Sequence, residues 1–192
     1  MITKNNKRIP LYIITTAYFI LGIINITFAF FALSCMVIPF FLLYRNKEKS
    51  WCKKYCPRAD YLNLFRVFKT GFKIPRWLTS EKMKKMVFQY FCMNLLFIAM
   101  STFMVRSGNI LPIDNIRFLI VFESPWKFPQ LWNPAEFSDV ITHLSYRLYS
   151  IMFSSTVIGT ILAILYKPRT WCAVCPVNTL SSTILKQQTN EV

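Results

Sequence analysis

The chain is short of charged residues, of glycine and of histidine, and each shortage excludes a class of function. Charged residues make up 16% of its 192 residues, against roughly a quarter in an ordinary soluble domain. The four glycines form no phosphate-binding loop, and no hydrolytic triad or paired-carboxylate site is present, so a kinase or a self-contained hydrolase has no support. The single histidine, His143, cannot supply the two axial ligands of a bis-histidine haem carrier.

Acidic residues are also scarce. The chain has 8 Asp and Glu against 23 Lys and Arg, for a net charge of +15. Such an excess can indicate a nucleic-acid partner, but no basic run stands apart from an apolar segment, and the aromatic residues lie in apolar stretches. A stacking platform beside a basic patch is therefore missing, and we predict that the protein does not bind nucleic acid.

Apolar residues are abundant, at 54% of the chain, and they form long runs that are typical of an integral membrane protein in the lipid bilayer. The run at residues 9–44 would extend about 50 Å as one helix, against a hydrocarbon core of about 30 Å. We therefore predict a hairpin that turns near Gly22–Asn25, with one long tilted span as the alternative. The run is too long for a signal peptide, so we expect it to be retained.

The remaining apolar segments complete an all-α membrane protein with about four transmembrane helices, arranged as two parallel helix-hairpin repeats in a single domain, residues 1–192. The predicted spans cover about residues 9–25, 27–44, 83–105 and 146–166, with an outer loop at 106–145. Ser80 and Glu81 are typical of a helix start, and Asn133-Pro134 is typical of another that runs into the last span.

The charge distribution predicts the orientation. Residues 45–85 hold thirteen Lys and Arg against three acids, whereas residues 106–145 have a net charge of −1. The positive-inside rule then places both termini on the cytoplasmic side of a multi-pass protein of the cell inner membrane. The basic loop is expected to lie along the membrane surface, and docking of an acidic redox partner is the alternative.

Four of the six cysteines occur in two similar turns. One is Trp51-Cys52-Lys53-Lys54-Tyr55-Cys56-Pro57, and the other is Trp171-Cys172-Ala173-Val174-Cys175-Pro176; each follows an apolar run that ends on Leu-Tyr and a basic residue. The repetition indicates two halves of one architecture that bring four thiols to one place on the cytoplasmic side. Cys35 and Cys92 lie alone in apolar spans, where a free cysteine is usually a small buried hydrophobe.

Three chemistries fit paired thiols. Disulfides are disfavoured because the cytosol is reducing, whereas zinc remains an option because its sites use similar short spacers. Iron–sulfur clusters also take four thiolates, and bacterial ferredoxin runs end in Cys-Pro. We predict a [4Fe–4S] cluster bound by Cys52, Cys56, Cys172 and Cys175, with zinc as the alternative. The neighbouring cations are expected to hold the thiols deprotonated; they are Lys53, Lys54, Arg58, Lys167 and Arg169.

The turns resemble those of the membrane-bound iron–sulfur proteins of the polyferredoxin-like, NapH/NosR type, and the second turn with Val177-Asn178-Thr179-Leu180 resembles them most. The resemblance implies an electron-transfer subunit without a catalytic site of its own, which passes electrons between quinone or a soluble donor and a partner protein. Asn178 stands where the family often has glycine. Because Asn is the residue that best tolerates the same positive φ, the resemblance predicts a positive φ at Asn178.

Two features depart from the family pattern. The spacer of the second turn is two residues instead of three, and no soluble ferredoxin domain follows, so we expect no second relay of clusters. A thiol–disulfide protein that uses the two cysteine pairs, or a zinc-bound membrane scaffold, remains the alternative.

Overall fold

The structure is a computed structural model that describes residues 10–49, 51–67, 72–119, 122–123, 130–131 and 138–190. It is mostly helical, as the sequence predicted. The helices are α1 (Tyr12–Ile24), α2 (Phe31–Asn46), α3 (Pro57–Leu64), α4 (Glu81–Arg106), α5 (Asp139–Leu165), α6 (Thr170–Val174) and α7 (Pro176–Asn190). Two strands of two residues each, β1 (Arg117–Phe118) and β2 (Phe122–Glu123), pair antiparallel and depart from the all-α prediction.

Three helical segments are long and apolar enough to cross a membrane: Ile26–Asn46, Glu81–Arg106 and Asp139–Leu165. These three segments suggest a membrane protein, in agreement with the sequence. The first predicted span, residues 9–25, is the exception, because α1 has only 13 residues and is about 20 Å long. Outward-facing apolar side chains are frequent on α2 and α4, as expected for surfaces that contact lipid; they include Val37, Phe41, Leu96 and Phe103.

The apolar run at the N-terminus breaks at Asn25, within the predicted turn. Asn25 has extended backbone angles, φ −149° and ψ 124°, and its side chain accepts a hydrogen bond from the Thr27 N–H. This is the behaviour of a helix N-cap, and it starts the 3-10 turn Ile26–Phe30 that leads into α2.

Contacts at its two ends place α1 in the bundle. The Tyr12 N–H, at its start, donates to Asp60 Oδ2 of α3 at 3.2 Å. At its end, Gln130 Nε2 donates to the Gly22 carbonyl, and the Ile26 N–H donates to Gln130 Oε1 at 2.8 Å. Since α3 follows directly after α2 and the first cysteine turn, the chain reverses direction around Asn25.

The helix α4 begins as the sequence predicted, with the Ser80 hydroxyl accepting from the Met83 N–H at 3.2 Å and Glu81 in the first turn. The predicted helix start at Asn133-Pro134 lies outside the described residues, where α5 begins at Asp139. Ser101 of α4 contacts His143 of α5 at 3.0 Å.

The helix α5 is the centre of the bundle and packs against α2, α3, α4, α6 and the 3-10 turn. Tyr149, 3% exposed, lies so close to α1 that a methyl group added at Gly22 would meet its ring at 2.2 Å. The ring stacks on Tyr18, and its hydroxyl donates to the Phe19 carbonyl at 3.3 Å. Glycine is therefore required where α1 crosses α5.

The connection at 106–145, predicted as an outer loop, enters the bundle in its middle part. The Ile113, Arg117 and Leu119 N–H groups donate to His143 Nδ1, Ser150 Oγ and Ser154 Oγ of α5, respectively. The acceptors are spaced at helical intervals, so residues 113–119 run along one face of α5. Non-helical backbone that packs against a helix needs hydrogen-bond partners of this kind.

Candidate metal centre

The first cysteine turn joins α2 to α3. Residues Trp51–Tyr55 form one π-helical turn that holds Cys52, and the Cys56 N–H donates to the Trp51 carbonyl at 3.0 Å. Cys56 is extended, with φ −71° and ψ 108°, and Pro57 opens α3. Proline disfavours helical angles in the residue before it and suits the first position of a helix. The Cys-Pro pair therefore marks the start of α3.

The second turn has the same plan. Cys172 lies on the short helix α6, Cys175 is extended with φ −58° and ψ 131°, and Pro176 opens α7. In both turns the first cysteine lies on a single helical turn and the second lies just before a helix. The two cysteine turns therefore share one local form.

Gly159 of α5 brings the two turns together. A methyl group added there would lie 3.4 Å both from Leu62 of α3 and from Trp171, which precedes Cys172. Leu62 is fully buried. Gly159 is therefore covered both by Leu62 of α3, the helix that follows the first turn, and by Trp171 of the second turn.

Arg58 of α3 connects the two turns directly. Its Nη2 lies 3.9 Å from Cys175 Sγ, and its Nη1 donates to Ser155 Oγ of α5 at 2.5 Å. The guanidinium is also close enough to Cys52 and Cys172 to act on both electrostatically. The sequence placed Arg58 only as a cation beside the first pair; its reach to the second pair depends on the tertiary fold.

A second connection runs through Asn178 on α7. Its Nδ2 donates to the Cys172 carbonyl at 3.0 Å, while Lys49 Nζ donates to Asn178 Oδ1 at 3.4 Å and to Ser182 Oγ at 2.5 Å. The prediction of a positive φ at Asn178 is wrong, because this residue lies in a helix and does not have positive φ. The amide side chain orients the second turn instead.

All six cysteines are free thiols. Burial raises the pKa of the Cys52 thiol to about 11, with the nearby Cys56 and Cys175 adding to the rise and Lys49 and Arg58 opposing it. Burial likewise raises the pKa of Cys172 to about 11, against Arg58 and Arg169. The expectation that cations hold these thiols deprotonated is therefore wrong for the ligand-free chain, because desolvation has the larger effect.

This finding predicts the pH dependence of thiol reactivity in the unloaded protein. A raised pKa keeps the thiol protonated until the pH approaches that value, and the thiolate is the reactive form. Iodoacetamide alkylation at Cys52 and Cys172, followed by peptide mass spectrometry, should accelerate up to about pH 11, as set by those pKa values. Glutathione, as the control, should level off above its ordinary thiol pKa of about 8.5, and a plateau there for the protein would contradict the prediction.

Cys35 is a fifth thiol near the site. It lies on α2, and its electrostatic neighbours include Arg58 and Cys56. The interpretation of Cys35 as a small buried hydrophobe is therefore incomplete, because Arg58 and Cys56 act on it electrostatically. No spacing rule in the sequence indicates this, since Cys35 lies 21 residues before Cys56.

An open cleft of about 320 Å³ borders the first cysteine pair. Its lining includes Cys52, Cys56, Lys54, Asp60 and Arg169, with residues 10–12 at the start of α1 on another side. The cleft connects the thiols with the surroundings of the bundle and carries two cations and one carboxylate at its wall.

The donor set fits an iron–sulfur cluster better than zinc. Four sulfurs around one tetrahedral zinc lie about 3.8 Å apart, and within the described ranges no three His, Cys, Asp or Glu side chains form a group that could hold one metal ion. In a four-iron cluster each thiolate binds a different iron, so the sulfurs stay further apart. The guanidinium of Arg58 lies near Cys52, Cys172 and Cys175 without bringing them into one tight group, which suits the second arrangement.

The comparisons with known proteins agree with this fit. The fold and the thiols define a helical membrane-type protein with a candidate metal centre at one end. Residues 28–75 and 149–187 match the model of a family described as a 4Fe-4S binding domain. The two matched segments contain Cys52 with Cys56 and Cys172 with Cys175, and the match supports an iron–sulfur binding family. A search of the curated proteins and of the solved structures finds no match.

Proposed function

We propose that the protein is a membrane electron-transfer subunit in which Cys52, Cys56, Cys172 and Cys175 ligate one [4Fe–4S] cluster. The observation that carries the proposal is the contact of Arg58 with Cys175, because it joins the helix of one cysteine turn to the thiol of the other. The family match over both turns supports the cofactor. The resemblance to the NapH/NosR type supports the membrane setting.

Each part of the site has a defined task in this proposal. The cluster, when bound, supplies one-electron transfer. Arg58 offsets the negative charge of the thiolates, and Asn178 fixes the backbone of the second turn through the Cys172 carbonyl. Trp171 and Leu62 cover the side that faces α5 and limit water there, which helps to set the potential of such a centre.

The cleft beside Cys52 and Cys56 is the proposed route of electron exchange. Lys54 and Arg169 at its wall suit an acidic face of a partner protein, and its closeness to apolar α1 suits a quinone in the lipid phase. Quinone or a soluble donor would deliver the electron, and a partner protein would receive it. A chain of this kind carries electrons without a catalytic centre of its own.

The test is anaerobic purification of the full chain with metal and sulfide analysis. We expect iron, acid-labile sulfide and a visible absorbance that bleaches with dithionite. Stoichiometric zinc without sulfide would contradict the proposal and favour a structural scaffold. A colourless protein whose thiols exchange with disulfides would favour the thiol–disulfide function.

The proposed orientation in the inner membrane places both termini and both cysteine turns in the cytoplasm, with α1 as a short fourth crossing. The basic residues Lys49, Arg58 and Arg169 at the cysteine end support it. In a protein without Cys35 and Cys92, an impermeant thiol reagent added to intact cells should leave Cys52 and Cys172 unlabelled, and both should be labelled once the membrane is permeabilised, the metal is chelated and the protein is unfolded. Labelling of either residue from outside would reverse the orientation.

A further inference from the structure

A second polar site lies toward the start of α5, around His143 and Arg147. His143, Arg147, Ser150 and Ser154 follow one another at helical spacing on one face, and residues 113–119 run along this face. His143, 1% exposed, is satisfied: Nδ1 accepts from the Ile113 N–H at 3.2 Å, and Nε2 contacts Ser101 Oγ at 3.0 Å. Since Nδ1 is an acceptor, the ring is neutral in this arrangement.

Arg147 is the member of this face that lacks partners. Its residue exposure is 9%, and its Nε and Nη1 atoms are buried without a hydrogen bond among the residues that the structure describes. A buried guanidinium with unpaired donors is rare in proteins, because both the charge and the N–H groups lose their water. At membrane depth such a residue usually marks a functional site.

Arg117 of β1 adds a second guanidinium to the same place. It is close enough to Arg147 for their charges to repel. Its Nη2 pairs with Glu123 of β2, but its Nε is buried and unpaired among the described residues. Asp114, the other nearby acid, acts on Tyr146. Arg117 is therefore paired with a carboxylate, whereas Arg147 has no ion pair among the described residues.

The position along α5 fits a ligand from the membrane surface. Arg147 lies 8 residues after Asp139, or about 12 Å from the start of the helix, and about 27 Å from its end at Leu165. It is thus near the end of the bundle opposite the cysteine turns. The phosphate groups of the lipid leaflet on that side are the nearest lipid anions, and free anions reach that end from water.

We propose that Arg147 and Arg117 bind a phosphate oxyanion between α5 and residues 113–119. The unpaired Nε and Nη1 of Arg147 and the unpaired Nε of Arg117 donate to its oxygens, and its negative charge compensates the Arg147 guanidinium, because Arg117 already pairs with Glu123. The source is either the headgroup of an anionic phospholipid or inorganic phosphate. The site is separate from the thiols, so the proposal does not depend on the iron–sulfur function.

The test uses the full chain as purified, with any bound metal retained, in phosphatidylcholine nanodiscs, and follows the thermal unfolding midpoint. Phosphatidylglycerol in the nanodisc, or added inorganic phosphate, should raise the midpoint of the wild type, because a ligand of the folded state stabilises it. If phosphate alone gives the whole rise, the source is the free anion; if only phosphatidylglycerol does, it is the lipid. Either result supports the oxyanion site, and no rise with either probe overturns it.

Arg147→Gln should bind the effective probe at least about tenfold more weakly, and Arg147→Lys should keep part of the effect if Gln prevents folding. Arg106→Gln, which removes an exposed cation at the end of α4, is the matched control and should respond as the wild type does. Glu136 lies outside the described residues, so Glu136→Gln is tested in parallel. If that change alone lowers the midpoint and neither probe has an effect, an internal carboxylate compensates Arg147, and the proposal is wrong.

Discussion

Replacing either Cys52 or Cys172 with serine should remove all of the bound iron and acid-labile sulfide, and each variant should lose the same centre. The reason is that the two turns meet: Arg58 of the first touches Cys175 of the second, and Leu62 and Trp171 cover the same glycine of α5. A serine hydroxyl replaces the thiolate poorly as an iron ligand. Iron and sulfide per chain, measured after anaerobic purification, give the result.

Two matched cysteine variants complete this experiment. Cys92→Ser on α4 should keep full iron and sulfide. Cys35→Ser is the sharper control, because Cys35 lies near Cys56 and Arg58; it should also keep the iron if the four Cys-Pro turn thiols are the complete ligand set. Loss of half of the iron in Cys52→Ser and the other half in Cys172→Ser would show two independent sites.

The local form of the cysteine turns was predictable because proline determines it. Pro57 and Pro176 force the preceding cysteines out of helical angles and open α3 and α7. The contact between the two turns, through Arg58 and Cys175, was not predictable in the same way. Arg58 and Cys175 lie 117 residues apart, and no periodicity in the sequence relates them. The sequence suggested only that similar turns should meet.

The length of α1 shows a different limit. Asn25 marked the break correctly, because its side chain caps the next turn. Apolar composition alone cannot say where a helix starts, and the run from residue 9 looked long enough for a full span. In the structure the helix begins at Tyr12, whose N–H is held by Asp60 of α3. That contact is tertiary, so the hydropathy of the run cannot predict it.

The course of residues 113–119 was missed for a related reason. Prolines and tryptophans around this segment are typical of a surface loop, whereas its burial depends on Ser150 and Ser154 of α5. Serines in a helix often donate to their own backbone, and Ser150 Oγ does donate to the Tyr146 carbonyl at 2.7 Å. Their second role, as acceptors for a neighbouring segment, becomes visible only in three dimensions.

Arg58→Gln should lower the reduction potential of the loaded centre on the order of 100 mV, because one charge about 5 Å away contributes roughly 3 kcal/mol at an effective dielectric constant of ~20. Reduction adds negative charge, and the guanidinium stabilises the reduced form. Arg58 Nη2 lies 3.9 Å from Cys175 Sγ, and Ser155 holds the other end of the guanidinium. A redox titration followed by visible absorbance or electron paramagnetic resonance measures the shift.

Three variants separate the charge of Arg58 from its role in packing. Arg66→Gln removes an exposed cation just after α3 and should shift the potential little, because water and salt screen it. Arg58→Lys keeps the charge and should recover most of the potential. Ser155→Ala keeps the charge but frees the guanidinium from α5, so its shift should be intermediate.

Iron content, measured on the same samples, distinguishes two roles of Arg58. If the guanidinium acts through its charge, Arg58→Gln retains iron and its potential falls, whereas Arg58→Lys restores the potential. If Arg58 only holds the two turns together, Arg58→Gln should lose iron, and the centres that remain should have the wild-type reduction potential. An Arg58→Gln protein with full iron and the potential of Arg66→Gln would show that Arg58 neither tunes nor holds the centre. The contact with Cys175 would then have no functional role.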